Sequence, residues 1–119
     1  MVGMEDKARE LGRLIGQSDE YKAVTRANEG LTGDTEATEL LRQMDTLRHD
    51  AQSMLSRGQE PTEEMEQQLD GLLLKVQANP SYQRLAVAQE NLDKLMRRVN
   101  DWISEGITKG AQSPIITLG

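Results

Sequence analysis

The sequence contains no cysteine and no phenylalanine, and it has only one tryptophan and two tyrosines among its 119 residues. Without cysteine, the chain forms no disulfide, has no catalytic thiol and offers no thiolate to zinc or to an iron–sulfur cluster. Because aromatic residues are so few, the core must consist of Leu, Ile, Val, Met and Ala, which suit helix interfaces better than strand faces. These absences predict an all-α fold in a single modest domain.

Long hydrophobic runs and an excess of positive charge are also missing. Apolar runs are short, as in Leu72-Leu73-Leu74, whereas a bilayer span needs roughly 20 residues, and no basic stretch with an apolar signal region opens the chain. We therefore expect a soluble, cytoplasmic protein. The net charge of −6 disfavours direct binding to nucleic acid, because proteins that contact phosphates normally present a basic surface.

Helical periodicity and capping residues divide the chain into five segments. The predicted helices span about residues 5–16, 18–33, 34–58, 61–79 and 81–108. Ser18 is the expected N-cap of the second helix, and Asp34 or Thr35 that of the third. Pro61 is expected in the first turn of the fourth helix, and Asn79-Pro80 ends that helix because the residue before a proline avoids helical geometry. The pattern predicts an antiparallel helical bundle.

The fifth helix is predicted to be the longest, at about 40 Å for ~1.5 Å per residue. A helix of that length extends beyond the others, so part of its apolar stripe is expected to face a second subunit. We therefore predict a homodimer. The residues predicted for self-association are Leu92, Leu95, Val99, Trp102 and Ile103.

The last ten residues, 110–119, break this helical pattern. Pro114 is unsuited to a helix interior, and the following Ile-Ile-Thr-Leu favours extended structure. We therefore divide the chain into a helical domain, 1–109, and an apolar tail, 110–119. Two interpretations of the tail stay open: it folds onto its own bundle or dimer mate, or it docks on a partner through Ile115, Ile116 and Leu118.

One sequence pattern occurs twice, 61 positions apart. Both copies have the form Tyr-x-x-(Val/Leu)-x-x-Ala-x-Glu-x-Leu, the first beginning at Tyr21 and the second at Tyr82. One interpretation is that amphipathic helix starts share such matches by chance. The other is that the two helices occupy equivalent environments in the bundle, with both tyrosines as packing anchors.

A family resemblance covers nearly the whole chain, to about Ile107. The residues that carry it are Asp6-Lys7-Ala8-Arg9-Glu10-Leu11-Gly12, Ile15, Ser18-x-x-Tyr21, Asp34-x-Glu36-Ala37-x-x-Leu40-Leu41, and Asn79-x-x-Tyr82 followed by Leu92 and Leu95. This pattern resembles the YlbF/YmcA family of small bacterial regulators. It consists of degenerate helical positions and contains no invariant catalytic signature.

The resemblance implies an all-helical, typically dimeric protein without enzymatic activity. Better-known members of the family assemble with each other and with further proteins, and they influence competence, sporulation, biofilm formation and RNase-dependent mRNA processing. A regulatory adaptor is therefore expected here. Some relatives carry cysteines associated with iron–sulfur clusters, and since this chain has none, cluster-based redox sensing is not carried over.

Signals for catalysis or metal binding are weak. His49 follows Asp45 by one helical turn, but a di-metal bundle needs Glu-x-x-His on two helices, and Thr46 occupies the Glu position of the only possible copy. The glycines around 30–35 lack the Gly-Lys-Ser/Thr of a phosphate loop, which leaves an inter-helix turn. The acidic residues of 60–70 lie at a helix start, where charge is solvated and favoured by the dipole. We expect no enzyme, no metal and no cofactor.

A basic patch on the fifth helix offers an alternative partner site. Arg97 and Arg98 follow Lys94, and they either pair with nearby acids on the helix surface or dock an acidic partner or an RNA segment. The leading prediction remains an adaptor that binds other proteins. The alternatives are a structural or cargo-type protein recruited through its tail, and an RNA-associated factor.

Overall fold

The computed structural model describes residues 3–118, and the side chains of residues 3–112. Over this range the chain forms five α-helices and no β-strand, which confirms the predicted all-α fold. The helices are α1 (Met4–Gly16), α2 (Asp19–Thr32), α3 (Thr35–Ser56), α4 (Glu63–Ala78) and α5 (Pro80–Leu118).

Polar side chains fix where the helices begin, because the first backbone N–H groups of a helix have no partner inside it. Ser18 accepts a hydrogen bond from the Tyr21 N–H at 3.2 Å, as predicted for the cap of α2. Asp34 is the cap of α3. In α4 the cap is Thr62, whose hydroxyl accepts from Met65. Pro61 therefore precedes the helix, and its predicted place in the first turn is wrong.

The helices pack as two antiparallel pairs. One pair is α2 with α5, and the other is the hairpin of α3 with α4. The ion pair between Glu20 and Arg98 joins the start of α2 to the middle of α5, and Gly30 at the end of α2 lies by the same groove as Pro80. The two pairs meet where α2 leads into α3 and α4 leads into α5.

The core is small and lies mainly in the hairpin. Leu40, Met44 and Val76 form its buried centre. Partly buried side chains from α3, α4 and α5 pack around it, namely Leu41, Leu69, Leu72 and Tyr82. In α5, Ala88 and Val99 are buried as well, whereas α1 and α2 bury no residue fully.

The molecule is elongated, with extents of 69 × 37 × 23 Å. Its radius of gyration is 22.1 Å, whereas a compact domain of this length has one of about 13.5 Å. Its accessible surface is 9297 Å², whereas a compact monomer of this mass exposes about 6,500 Å². One copy therefore leaves exposed much surface that a compact fold buries.

Helix α5 is longer than predicted. Its backbone continues to Leu118, so the expected helix end near Thr108 and the expected break at Pro114 are wrong. Side chains 100–112 are all exposed, so tertiary packing of this stretch does not explain why the helix continues. A proline inside a helix removes one hydrogen bond and crowds the carbonyl four residues earlier, so Pro114 is expected to weaken this part of α5. The division into a domain and a tail stays a prediction.

Candidate protein-interaction surface

The residues predicted for self-association fall into two groups along α5. Val99 is buried, and Leu92 and Leu95 are half-buried in the part of α5 that lies beside α2. Trp102 and Ile103 are 57% and 44% exposed. The first three residues therefore hold α5 on its own chain, and the last two are free to contact another molecule.

An exposed apolar surface continues around Trp102 and Ile103. It consists of Met96, Trp102, Ile103 and Ile107, and we call it the α5 surface. Met96, Ile103 and Ile107 are seven and then four positions apart, a spacing that places side chains on one helix face. Met96 is the least exposed of the four, at 36%, and Ile107 the most, at 65%. These four large apolar side chains are uncovered in the single chain.

Helix α1 fully buries none of its side chains. Leu11 and Ile15 are only half-buried, and Leu14 is 57% exposed. Within its chain α1 packs chiefly on α2. It adds a second stretch of uncovered apolar surface near the start of α2.

The basic residues predicted as a docking patch on α5 also fall into two groups, those with an ion pair and one without. Arg98 pairs with Glu20 of α2 at 3.5 Å, and Lys94 pairs with Glu90 at 3.7 Å. Arg97 is exposed and has no ion pair among the residues that the structure describes. The pairing of Lys94 with an acid on the same helix is the one expected for a solvated helix face. Docking through Arg97 and Arg98 stays a prediction, and Ile115, Ile116 and Leu118 lie outside the described side chains.

A polar cluster joins the two helix pairs at their meeting point. One carboxylate oxygen of Asp34 accepts from the Ala37 N–H at 3.0 Å, and the Asn79 amide donates to the other at 3.2 Å. Asn79 in turn accepts from the Tyr82 N–H at 3.0 Å and so caps the first turn of α5. The cap role of Asp34 was predictable from the sequence, but its contact with Asn79, 45 residues away, was not.

The electrostatics of this cluster favour a charged carboxylate. The Ala37 N–H, followed by hydrogen bonds from Ser81 and Asn79, lowers the pKa of Asp34 from its ordinary value of 3.8. Asn79 and Ser81 are buried at 6% and 9% exposure. The cluster therefore holds the two helix pairs together at their meeting point.

The repeated sequence pattern corresponds to the packed helices α2 and α5. Tyr21 and Tyr82 both donate their backbone N–H to a cap three residues earlier, Ser18 in one case and Asn79 in the other. Their side chains differ, since Tyr82 packs on the core while Tyr21 is 46% exposed. The two helix starts are therefore equivalent, but Tyr21 is not the packing anchor that was predicted.

The residues considered for chemistry do not converge. His49 and Asp45 are exposed on α3, and among residues 3–118 no group of three or more His, Cys, Asp or Glu side chains is placed to hold a metal ion. Within the predicted inter-helix turn of residues 30–35, Gly33 and Asp34 lie between α2 and α3, whereas the residues before them belong to α2 and Thr35 begins α3. None of the described helices has the length and apolar composition needed to cross a membrane.

Comparison with known proteins places residues 4–108 in one family. The profile of the family described as "Control of competence regulator ComK, YlbF/YmcA" matches residues 4–108. A UPF0342 protein of Leuconostoc mesenteroides is 24% identical over 108 residues, which cover 91% of this chain and 92% of that protein. A UPF0342 protein of Streptococcus mutans is 32% identical over 91 residues, covering 76% and 80%.

A solved structure shares the fold. It is a protein of unknown function (DUF964) from Bacillus stearothermophilus, with a TM-score of 0.63 and 17% sequence identity. The match covers 87% of this chain and 91% of that one. At this identity the likeness concerns the fold alone.

Proposed function

The chain belongs to the YlbF/YmcA family of competence-regulator control proteins, and we propose that it is a cytoplasmic regulatory adaptor that acts by binding proteins rather than by catalysis. The family description names regulatory control and no reaction. Among the described residues, eleven large apolar side chains are exposed, and no group of titratable side chains is placed to hold a metal ion.

The α5 surface is the observation on which this proposal mainly rests. Trp102, Ile103 and Ile107 lie on the half of α5 that extends past Val99, where no described side chain is buried. Tryptophan is enriched among the residues that dominate binding energy at interfaces. The surface excess of roughly 2,800 Å² over a compact monomer is larger than the about 800 Å² per partner of a standard interface.

In the proposed mechanism, two copies first cover the α5 surface of each other. A twofold interface uses the same patch on both subunits, so one apolar face is enough to form it. Leu92, Leu95 and Val99 hold α5 on α2 and thereby keep the surface in place. The remaining uncovered faces, including that of α1, then bind the regulated proteins.

Replacing Ile103 by aspartate tests the homodimer. A carboxylate in an apolar interface lacks a partner and loses its hydration, so we expect the dissociation constant to rise by about tenfold or more. Sedimentation velocity of the full chain over a concentration series measures this change. The matched control is Thr108→Asp, which adds the same charge on the same exposed stretch of α5 but is not three or four positions from any residue of the α5 surface.

The two variants and the wild-type chain give different results with and without an α5 interface. Weaker association for Ile103→Asp with unchanged association for Thr108→Asp supports the α5 interface. A wild-type chain that sediments as a monomer at micromolar concentration contradicts it. The adaptor role is tested by purifying the tagged native protein and identifying its partners by mass spectrometry, and detectable turnover by the purified chain contradicts the non-catalytic part of the proposal.

A further inference from the structure

A groove runs between the two helices that carry the repeated pattern. It has a volume of about 610 Å³, and small or apolar residues of both helices line it beside polar ones. We call the small and apolar lining residues its floor, namely Ala23, Ala27, Gly30, Val87 and Ala88. Ala27 and Ala88 are equivalent positions of the repeat, and their small side chains leave a trough instead of a filled ridge. Val87 is 58% exposed there, so the floor has uncovered apolar surface.

Two arginines flank this groove, Arg26 from α2 and Arg84 from α5. Both are exposed, and neither has a carboxylate within ion-pair distance among the residues that the structure describes. An apolar floor between two cations fits a helix that carries leucines together with acids.

The outer face of α4 has this composition. Glu66, Asp70 and Leu74 are spaced four apart and therefore lie in one row on the helix, with Leu73 beside them. Leu73 and Leu74 are 37% and 68% exposed, and Glu66 and Asp70 are exposed. Neither acid has an ion pair among the described residues. Inside its own chain α4 packs mainly on α3 with its opposite face.

We propose that the groove between α2 and α5 receives the outer face of α4 from a second copy of this chain. The leucines of α4 cover Val87 and the alanines, and the two carboxylates pair with Arg26 and Arg84. Each copy offers both a groove and an α4, so two such contacts form around a twofold axis. The surface excess of roughly 2,800 Å² exceeds what one standard interface covers, so it accommodates this contact in addition to the α5 surface.

Charge exchange on the full-length chain tests the contact. One variant carries Arg26→Glu with Arg84→Glu, and the other carries Glu66→Arg with Asp70→Arg. All four positions are exposed, so folding is expected to persist, and far-UV circular dichroism checks this. Both variants are made in the Ile103→Asp background, so that the α5 surface does not contribute to association.

Each variant alone brings like charges together at both contacts, and we expect its dissociation constant to rise by about tenfold or more over the Ile103→Asp parent. An equimolar mixture restores opposite charges at both contacts, so we expect it to regain the parental mass in sedimentation velocity. The matched control is Lys7→Glu with Arg48→Glu, at exposed sites on α1 and α3. It changes the net charge by the same amount as the Arg26→Glu, Arg84→Glu variant, and we expect it to leave association unchanged.

Three results overturn the proposal: variants that associate like their parent, a mixture that stays dissociated, or a control that dissociates as much as the groove variant. An Ile103→Asp parent that is already monomeric at every concentration tested also overturns it. The test is independent of the α5 homodimer, because failure of that dimer leaves Ile103→Asp without effect while the charge exchange still reports on the groove.

Discussion

At the residue scale, single polar side chains determine where helices begin. Ser18, Asp34, Thr62 and Asn79 each accept the backbone N–H that lies three residues later. Such caps satisfy groups that the helix itself cannot. Asp34 and Asn79 also bond to each other, so the two turns that join the helix pairs depend on one another.

Asp34 makes the stability of the fold depend on pH. The folded chain lowers the pKa of its carboxyl, chiefly through the Ala37 N–H, so the unfolded chain binds the proton more readily. The contribution of Asp34 is therefore complete above its ordinary pKa of 3.8 and is lost as the pH falls below that value through the folded pKa. Asp34→Asn keeps a cap but removes the titration, so we expect a shallower loss of stability in acid, measured by urea unfolding from neutral pH downwards.

Glu39 provides the internal comparison for this experiment. The hydrogen bond from Arg42 lowers its pKa as well, so some acid dependence remains in the Asp34→Asn variant. The difference between the wild type and the variant reports Asp34 alone. Parallel pH curves for the two proteins contradict the assigned role of Asp34.

At the scale of elements, the first part of α5 packs on its own chain and the described last part is exposed. Up to Val99 it packs on α2 and is part of the fold, and beyond Val99 its described side chains are exposed. The hairpin of α3 and α4 holds the buried centre of Leu40, Met44 and Val76. The elements that fold the chain and the surfaces that remain available for binding are thus largely separate.

Two glycines in or beside the hairpin are expected to respond oppositely to alanine. Gly71 lies within α4, where an added Cβ meets no atom within 4 Å, so Gly71→Ala should stabilise the fold by about 0.5–1 kcal/mol. Gly58 follows α3 with φ of 78°, a backbone conformation that costs other residues about 1–2 kcal/mol. Gly58→Ala should therefore destabilise it. Urea unfolding measures both, and equal effects of the same sign contradict the helix boundaries given above.

At the scale of the whole molecule, the elongated shape and the large exposed surface both favour the proposed assembly of several copies. The chain extends over 69 Å, and its two helix pairs meet near the turns at Asp34 and Asn79. A single copy exposes roughly 2,800 Å² more than a compact monomer of its mass. Assembly is the direct way to bury that surface.

Small-angle X-ray scattering tests the elongated shape. Under dilution, or in a variant that sediments as one chain, we expect a radius of gyration near 22.1 Å. A hairpin folded back on α2 and α5 instead gives a value closer to the about 13.5 Å of a compact domain. Such a value contradicts the open arrangement and removes the surface excess from the argument for assembly.

The sequence predicted much of the fold because local interactions control it. Ser18 was identified as a cap from residue type and position, the cap of α3 was narrowed to Asp34 or Thr35, and the helical segments followed from apolar spacing. The end of α5 was placed wrongly, because the prediction took Pro114 and the residues after it as the end of the helix, whereas the backbone stays helical to Leu118. Tyr21 was assigned to the packing on the strength of the repeat, yet it lies half in solvent.

Composition and periodicity by themselves determined the helical class, the five segments and the absence of thiol chemistry, because each depends on residue type or on neighbours within a few positions. Only the tertiary structure decided that Val99 is enclosed while Trp102 is free, that Asp34 bonds to Asn79, and that Arg26 and Arg84 flank one groove. These relations join residues distant in sequence, and their energies depend on how whole helices pack.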